Sequence, residues 1–198
     1  NIGIIYKEQG DYPKALDYYQ RSLKIKEEFG DKKGISITIG NIGLIYQDQG
    51  DYPKALEYYQ RSLKIEEENE DKTFSASSIN SIGSIYQDQG DYSKALEYYQ
   101  HSLKIREEIG DKTGSASSIH DIGIIYKIQG DYPKALKYCK KALTMSQEIG
   151  ILLEEKKACN CLYETYKAQG NTNQALVYIE KLHIIEDSLN VQETTKKL

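Results

Sequence analysis

An internal repeat with a period of forty residues limits this chain to a few architectures. Residues 1–25, 41–65 and 81–105 are near-copies: the first two differ at four of 25 positions, and the last two again at four. A fourth copy at 121–145 differs from the first at nine positions, and a fifth, from Cys161, keeps only part of the pattern. Repeats of roughly 20 to 50 residues build arrays in which each unit packs on the next. The sequence therefore predicts a stacked array.

The same repeat explains the aromatic composition. The chain has 18 Tyr but only 2 Phe and no Trp, and 17 of the tyrosines recur in register with the forty-residue period. They fall at four places in the unit, represented in the second copy by Tyr46, Tyr52, Tyr58 and Tyr59. We interpret the tyrosine excess as packing that was duplicated with the unit, and as carrying little information about function.

Each unit is predicted to contain two helices, shown here by residues 51–68 and 71–89. Apolar residues in both segments recur at spacings of three, four and seven, which indicates a helical face rather than a strand. Gly50 suits the end of the preceding helix, Asp51 the N-cap of the next, and Pro53 its first turn. The three carboxylates that end this helix, Glu66 to Glu68, are expected to be solvated.

A glycine recurs in the middle of each first helix, at Gly3, Gly43, Gly83 and Gly123. Glycine inside a helix costs about 1 kcal/mol relative to alanine, so a repeated glycine implies a repeated reason. We expect close approach, with the paired helix packing backbone to backbone at these positions.

The spacing G-x-x-Y-x-x-x-G-D-Y-x-x-A-L, from Gly43 to Leu56, resembles the tetratricopeptide repeat. The resemblance recurs in five registers and covers the whole chain. The familiar unit has 34 residues with an early Trp and a terminal Pro; here Ile stands at the Trp place (Ile39, Ile79, Ile119) and Gly-Asp replaces the Pro. This longer form resembles repeats of kinesin light chain, of the Leu-Gly-Asn adaptors and of bacterial Rap-type regulators.

The resemblance implies an all-α, right-handed superhelical solenoid of antiparallel helix pairs, filling residues 1–198 as one array. We expect units at about 1–30 (with a truncated first helix), 31–70, 71–110, 111–150 and 151–198, the last a degenerate C-terminal cap. The truncated first unit leads us to expect that the natural protein continues upstream.

The resemblance also implies a concave groove lined by the first helix of each unit, which binds an extended peptide. The groove positions vary between units whose framework is nearly constant. Amides and hydroxyls would hydrogen-bond peptide backbone, Leu44 and Ile124 would give apolar contact, and Asn41 matches a ligand-contacting Asn of the family. The alternative is that this face is ordinary solvated helix surface. The predicted groove residues are Asn41, Leu44, Gln47, Asp48, Ser77, Asn80, Ser81, Ser84, Gln87, Asp88, Ser117, His120, Asp121, Ile124 and Lys127.

Composition narrows the partners and the chemistry. The formal net charge of −4 argues against a nucleic-acid partner, whose binders carry basic surfaces. The longest apolar runs are too short to span a membrane. Three Cys form no disulfide framework and favour a reducing, cytoplasmic setting. We find no phosphate loop, metal-ligand cluster or nucleophile motif, and so expect no catalytic residue, metal or cofactor; His120 is the one His in the groove, with a contact role.

The sequence thus favours a non-enzymatic scaffold that holds an extended peptide or a partner helix. Two alternatives stay open. The array could assemble end to end through its open N-terminal end, in a heterologous contact between copies. It could also be the sensory segment of a larger bacterial signalling protein, such as a kinase or a transcription regulator.

Overall fold

A computed structural model describes residues 2–195 of the chain, apart from the side chains at 193 and 195, and within this range every regular element is an α-helix. Short turns join ten helices, two in each predicted unit, which confirms the all-α solenoid of helical hairpins. Their bounds are α1 Ile2–Glu8, α2 Tyr12–Glu28, α3 Lys32–Asp48, α4 Tyr52–Glu68, α5 Lys72–Asp88, α6 Tyr92–Glu108, α7 Lys112–Ile128, α8 Tyr132–Ile149, α9 Leu152–Ala168 and α10 Thr172–Thr195. None of these helices combines the length and hydropathy that crossing a membrane requires.

The turn between α3 and α4 shows why the helices begin and end where they do. Gly50 has a φ of 76°, a left-handed conformation that glycine adopts without a steric penalty. Asp51 is the N-cap of α4, and its Oδ1 accepts a hydrogen bond of 3.3 Å from the backbone N–H of Lys54. The hydrogen bond from the Lys54 side chain lowers the pKa of Asp51. The same device recurs before α2, α6 and α8.

The chain divides into two compact units, residues 1–105 and 106–198. In the first, the second helix of one repeat packs on the first helix of the next. Ala15 and Tyr19 of α2 form a buried cluster with Ile42 and Ile45 of α3. The equivalent residues of α4 and α5 form a second cluster one repeat later. The core is therefore a series of contacts between neighbouring repeats.

In the first three repeats the recurring glycine contacts a tyrosine ring, so the prediction of backbone-to-backbone packing is wrong there; in the fourth, a Cβ added at Gly123 would lie 2.7 Å from Cys139 Sγ and 3.3 Å from its backbone nitrogen. A Cβ added at Gly43 would lie 3.1 Å from ring atoms of Tyr59, and one at Gly83 would lie 2.9 Å from ring atoms of Tyr99. Both tyrosines are almost completely buried. The glycine leaves room for the flat face of an aromatic side chain, which a methyl group would fill.

Cys139 and Cys161 are joined by a disulfide, which corrects the expectation that the three cysteines form no disulfide framework. Their Cα atoms are 6.0 Å apart, within the usual range for a disulfide. Cys159 is free and buried, and burial raises the pKa of its thiol to about 11. The bond joins α8 to α9, and a pair of cysteines 22 residues apart resembles no familiar cysteine motif.

The glycine contact gives a stability prediction. Gly83→Ala should destabilise the chain by about 1–3 kcal/mol, because Tyr99 has to move away from the new methyl group. Gly40→Ala is the matched control, since the nearest atom to its Cβ is Ser62 Oγ at 3.7 Å. That variant should gain up to about 1 kcal/mol from helix propensity. Urea unfolding followed by circular dichroism measures both, and equal effects of the two substitutions would contradict the contact.

The disulfide predicts the number of reactive thiols. The denatured, unreduced chain should react with one maleimide, at Cys159, because the other two sulfurs are bonded to each other. After reduction it should react with three. Mass spectrometry of the labelled chain counts the adducts, and three adducts before reduction would show that Cys139 and Cys161 are free.

Candidate functional site

Helices α3, α4 and α5 of the first compact unit enclose an open pocket with a volume of about 210 Å³. It brings together four of the predicted groove residues, Asn41 and Leu44 from α3 with Ser77 and Ser81 from α5. The side chains of Ser77 and Ser81 are small, which leaves space open between the two first helices. The remaining lining residues are Ser36, Ile37, Gly40, Tyr59, Ser62, Glu66, Phe74 and Ser78.

Three other predicted groove residues bond to one another. The Nε2 of Gln47 donates to Ser84 Oγ at 3.0 Å and to Asp88 Oδ2 at 3.1 Å. The hydroxyl of Tyr59 donates to Gln47 Oε1 at 3.1 Å. Because both amide protons of Gln47 are engaged, a peptide would have to compete with these bonds at this position. The cluster ties α3 to α5 and holds the tyrosine that packs on Gly43.

The hydrogen bond made by this tyrosine hydroxyl differs between the repeats of the first compact unit. Tyr99 donates to Gln87 Oε1 at 2.9 Å, as Tyr59 does to Gln47. In the first repeat Lys7 stands at the glutamine place, and the buried hydroxyl of Tyr19 has no hydrogen-bond partner. Lys7 instead pairs with Asp48, a predicted groove residue, at 3.4 Å. Asn80, the remaining predicted groove residue of the first compact unit, is half-buried on α5.

In the second compact unit, the predicted residues lie along α7 and are all half-buried. His120 Nδ1 lies 3.3 Å from Asp121 Oδ1, a contact that becomes an ion pair only when the imidazole is protonated. The other three are Ser117, Ile124 and Lys127. Among the side chains that the structure describes, no group of three or more His, Cys, Asp or Glu is arranged to hold a metal ion.

Glu66 is a lining residue whose burial the sequence did not predict. We expected a solvated carboxylate at a helix end, but its exposed fraction is 3%. It follows Ala55, Tyr59 and Ser62 at spacings of four, three and four residues, so it lies on the buried stripe of α4. This spacing could have been recognised in the sequence. It was overlooked because three consecutive glutamates, Glu66 to Glu68, suggested that the whole helix end is solvated.

The carboxylate of Glu66 is only partly satisfied. Its Oε1 lies 2.8 Å from Ser62 Oγ, and its buried Oε2 has no hydrogen-bond partner. Ser62 Oγ is also 2.8 Å from the Ser36 carbonyl oxygen, and a hydroxyl has one proton for these two acceptors. Burial raises the pKa of Glu66, opposed by the hydroxyls of Ser78 and Ser62. If Glu66 Oε1 were protonated, it would donate its proton to Ser62 Oγ, and Ser62 Oγ would donate to the Ser36 carbonyl oxygen. Each of the two hydrogen bonds would then have its own proton.

The other repeats carry different residues at this place. Lys26 Nζ donates to the Gly34 carbonyl oxygen at 3.0 Å and to Thr38 Oγ1 at 2.7 Å. Arg106 Nη1 likewise donates to the carbonyl oxygen eight residues later at 2.6 Å and to Ser118 Oγ at 3.0 Å. The fourth repeat has Ser146. The position therefore accommodates a cation in two repeats and an acid in one.

The helical hairpins, nearest-neighbour cores and variable first-helix faces define a helical-repeat solenoid. A family profile described as tetratricopeptide repeat matches residues 1–68 and 74–148. The chain belongs to the tetratricopeptide repeat family, as its motif spacing predicted.

Solved structures share this fold at low sequence identity. BtubC (BKLC) from P. vanneervenii is 22% identical, with a TM-score of 0.81, over 95% of this chain and 78% of that one. RapI in its apo form is 23% identical, with a TM-score of 0.82, over 98% of this chain and 71% of that one. No curated protein sequence matches the chain.

A third structure extends well beyond the part that is matched. Aspartyl phosphate phosphatase F from Bacillus subtilis is 16% identical, with a TM-score of 0.87, over 95% of this chain. The match covers 49% of the phosphatase, so this chain spans about half the length of that protein. At this identity the likeness shows a shared fold alone.

The buried carboxyl predicts a pH-dependent effect of Glu66→Gln. A raised folded-state pKa means that the folded chain holds this proton more tightly than the unfolded chain, so the wild type loses stability as pH rises from about 4.3 through the folded-state pKa. The variant lacks this loss and should be about 1 kcal/mol more stable at pH 7, with little difference at pH 4.

Glu67→Gln is the control for this experiment, because it removes the same charge from an exposed position one residue away. Its free energy of unfolding should stay within about 0.5 kcal/mol of the wild type at both pH values. Urea unfolding from pH 4 to pH 8 gives the comparison. A Glu66→Gln variant that is less stable than the wild type at pH 7 would show that the ionised carboxylate is favourably bound.

Proposed function

We propose that this chain is a non-enzymatic protein-interaction scaffold that holds an extended peptide or a partner helix along its first helices. Membership of the tetratricopeptide repeat family supports the interaction role. The single observation that carries the proposal is the α3–α5 pocket, where the predicted residues Asn41, Leu44, Ser77 and Ser81 surround one open space. Within the described residues this arrangement offers no metal cluster around which chemistry could be organised.

The chemistry of the pocket suits a peptide backbone. An extended peptide presents an unpaired N–H and C=O at every residue, and the Asn41 amide can accept from the N–H and donate to the C=O. Leu44 lies beside it and supplies apolar contact. Each such hydrogen bond has a net value of about 0.5–1.5 kcal/mol, so useful affinity needs several of them in a row. A repeated framework with varying first-helix residues provides such a row.

Partners and location follow from the same reasoning and are part of the proposal. The ligand is a protein or peptide, since the net charge of −4 disfavours nucleic acid. The compartment proposed from the low cysteine content is the cytoplasm, and the Cys139–Cys161 disulfide counts against it. The chain requires no cofactor for this role. Any activity of a longer protein that contains this array would lie in segments other than these repeats.

A display library of random 12-residue peptides tests the groove. Peptides selected on the chain should bind Asn41→Ala about fivefold more weakly in fluorescence polarisation, because about 1 kcal/mol of backbone bonding is lost. Gln60→Ala is the matched control, since it removes an amide from the exposed face of α4. Equal affinities for wild type and both variants would place the binding surface elsewhere.

Self-assembly is a second candidate, favoured by the exposed isoleucines of α1. Ile2, Ile4 and Ile5 have exposed fractions of 53%, 40% and 51%. Large apolar side chains grouped on a surface mark interaction sites. Sedimentation velocity over a hundredfold range of concentration should then show association that Ile5→Asp abolishes. A chain that stays monomeric at the highest concentration would exclude this candidate.

A further inference from the structure

The place of Glu66 in the repeat is one that this fold uses to bind a cation. In the first repeat an ammonium occupies it, and in the third a guanidinium, each bonded to a carbonyl oxygen and a hydroxyl of the following helix. The equivalent groups in the second repeat, eight and twelve residues after Glu66, are the Phe74 carbonyl and the Ser78 hydroxyl. The acceptors are therefore kept in the second repeat, whereas the cation is replaced by an acid.

The surroundings of Glu66 offer acceptors in place of that cation. Glu66 Oε2 is buried and has no partner, and the side chain lines the α3–α5 pocket. On the pocket wall, Ser81 Oγ donates its proton to the Ser77 carbonyl at 3.1 Å, and Ser77 Oγ donates to the Thr73 carbonyl at 3.2 Å. Both hydroxyls thus retain lone pairs for an incoming donor. Such a lining is complementary to a group that carries several N–H donors.

Lys33 is engaged with two neighbouring side chains. Lys33 on α3 lies 3.6 Å from Asp71 and 4.9 Å from the centre of the Phe74 ring. Phe74 itself lines the pocket, but its ring already carries the Lys33 ammonium, so an incoming cation would be bound by the carboxylate and the hydroxyls. The volume of about 210 Å³ corresponds to several water molecules at about 30 Å³ each, which is room for the end of a long side chain.

We propose that Glu66 is a specificity-determining residue of the groove, which receives the guanidinium or ammonium group of an Arg or Lys side chain in the bound peptide. This inference rests on the proposed peptide-binding function and names the ligand chemistry at one of its subsites. A single carboxylate among hydroxyls is a poor site for a divalent metal ion, which takes several oxygen ligands. An anionic ligand is disfavoured because it would face Glu66 directly.

Binding is favourable for both the Glu66 carboxyl group and the incoming cation. An opposite charge nearby favours the ionised form of a carboxyl group, so an entering guanidinium would leave Glu66 as a carboxylate. The cation gains a charge-assisted hydrogen bond in a site that is shielded from water, which is stronger than a bond between neutral groups. The pocket then resembles the intact cation sites of Lys26 and Arg106, with the positive charge supplied by the ligand.

The first arm of the test uses a small probe and needs no peptide ligand. We would titrate the ¹⁵N-labelled chain with N-acetyl-arginine amide, and with N-acetyl-citrulline amide as its neutral isostere. Amide resonances around Glu66 and Ser78 should shift with arginine and require about tenfold more citrulline. Glu66→Gln should remove the difference between the probes, and Glu67→Gln should keep it. Equal shifts with both probes, or a difference that survives Glu66→Gln, would overturn the inference.

The second arm uses peptides selected from the display library on the unmodified chain. They should share an Arg or Lys at one position, and replacing it by citrulline or Gln should weaken binding to the wild type about tenfold. The same replacement should have little effect on Glu66→Gln, which a double-mutant cycle expresses as coupling between the two groups. An equal loss on both chains would overturn the assignment of Glu66.

The two arms separate the failure of the inference from the failure of the proposed function. Selected peptides that need Asn41 but show no basic position would overturn the role of Glu66 and leave the groove intact. An arginine probe that binds through Glu66, with no peptide enriched from the library, would support the cation subsite and contradict the peptide-binding function. Thermal unfolding of each variant confirms that every comparison is made on folded protein.

Discussion

The structure depends on the contact between a tyrosine ring and a glycine. In each of the first three repeats, a tyrosine of the second helix lies against the glycine in the middle of the first helix, and in the first two the same ring packs on isoleucines of the following repeat. One side chain therefore holds a helical hairpin together and joins it to its neighbour. Because the contact has a fixed geometry, copying forty residues copies the junction as well, and the array extends by repetition.

This constraint explains why most of the fold can be predicted from the sequence. The Gly-Asp turn fixes the helix ends, the apolar spacing gives the buried faces, and the motif from Gly43 to Leu56 gives the family. Backbone packing was inferred wrongly at the glycines of the first three repeats, because a missing side chain shows that something lies close without showing what it is. The tyrosines were in the same repeat, but their side-chain directions required the structure.

Less of the candidate site could be predicted from the sequence, since the site depends on contacts between repeats. Gln47 looked like a free groove amide, and its engagement with Ser84 and Asp88 depends on residues 37 and 41 positions later. Cys139 and Cys161 meet for the same reason. Glu66 was concealed by its acidic neighbours, although comparison with Lys26 and Arg106 would have marked it as the copy that departs. Differences between copies at buried positions are informative, because a buried polar group has to find a partner.

These contacts show that different residues form the framework and the pocket. Tyrosine, glycine and isoleucine keep the framework constant, and the pocket residues between α3 and α5 are free to differ from one repeat to the next. The most direct measurement is the set of backbone amides that shift in an NMR titration with a peptide selected on this chain. The account predicts the largest shifts at Asn41, Leu44, Ser77, Ser81 and Glu66. Shifts confined to the exposed faces of α4 and α6, with the pocket unchanged, would contradict it.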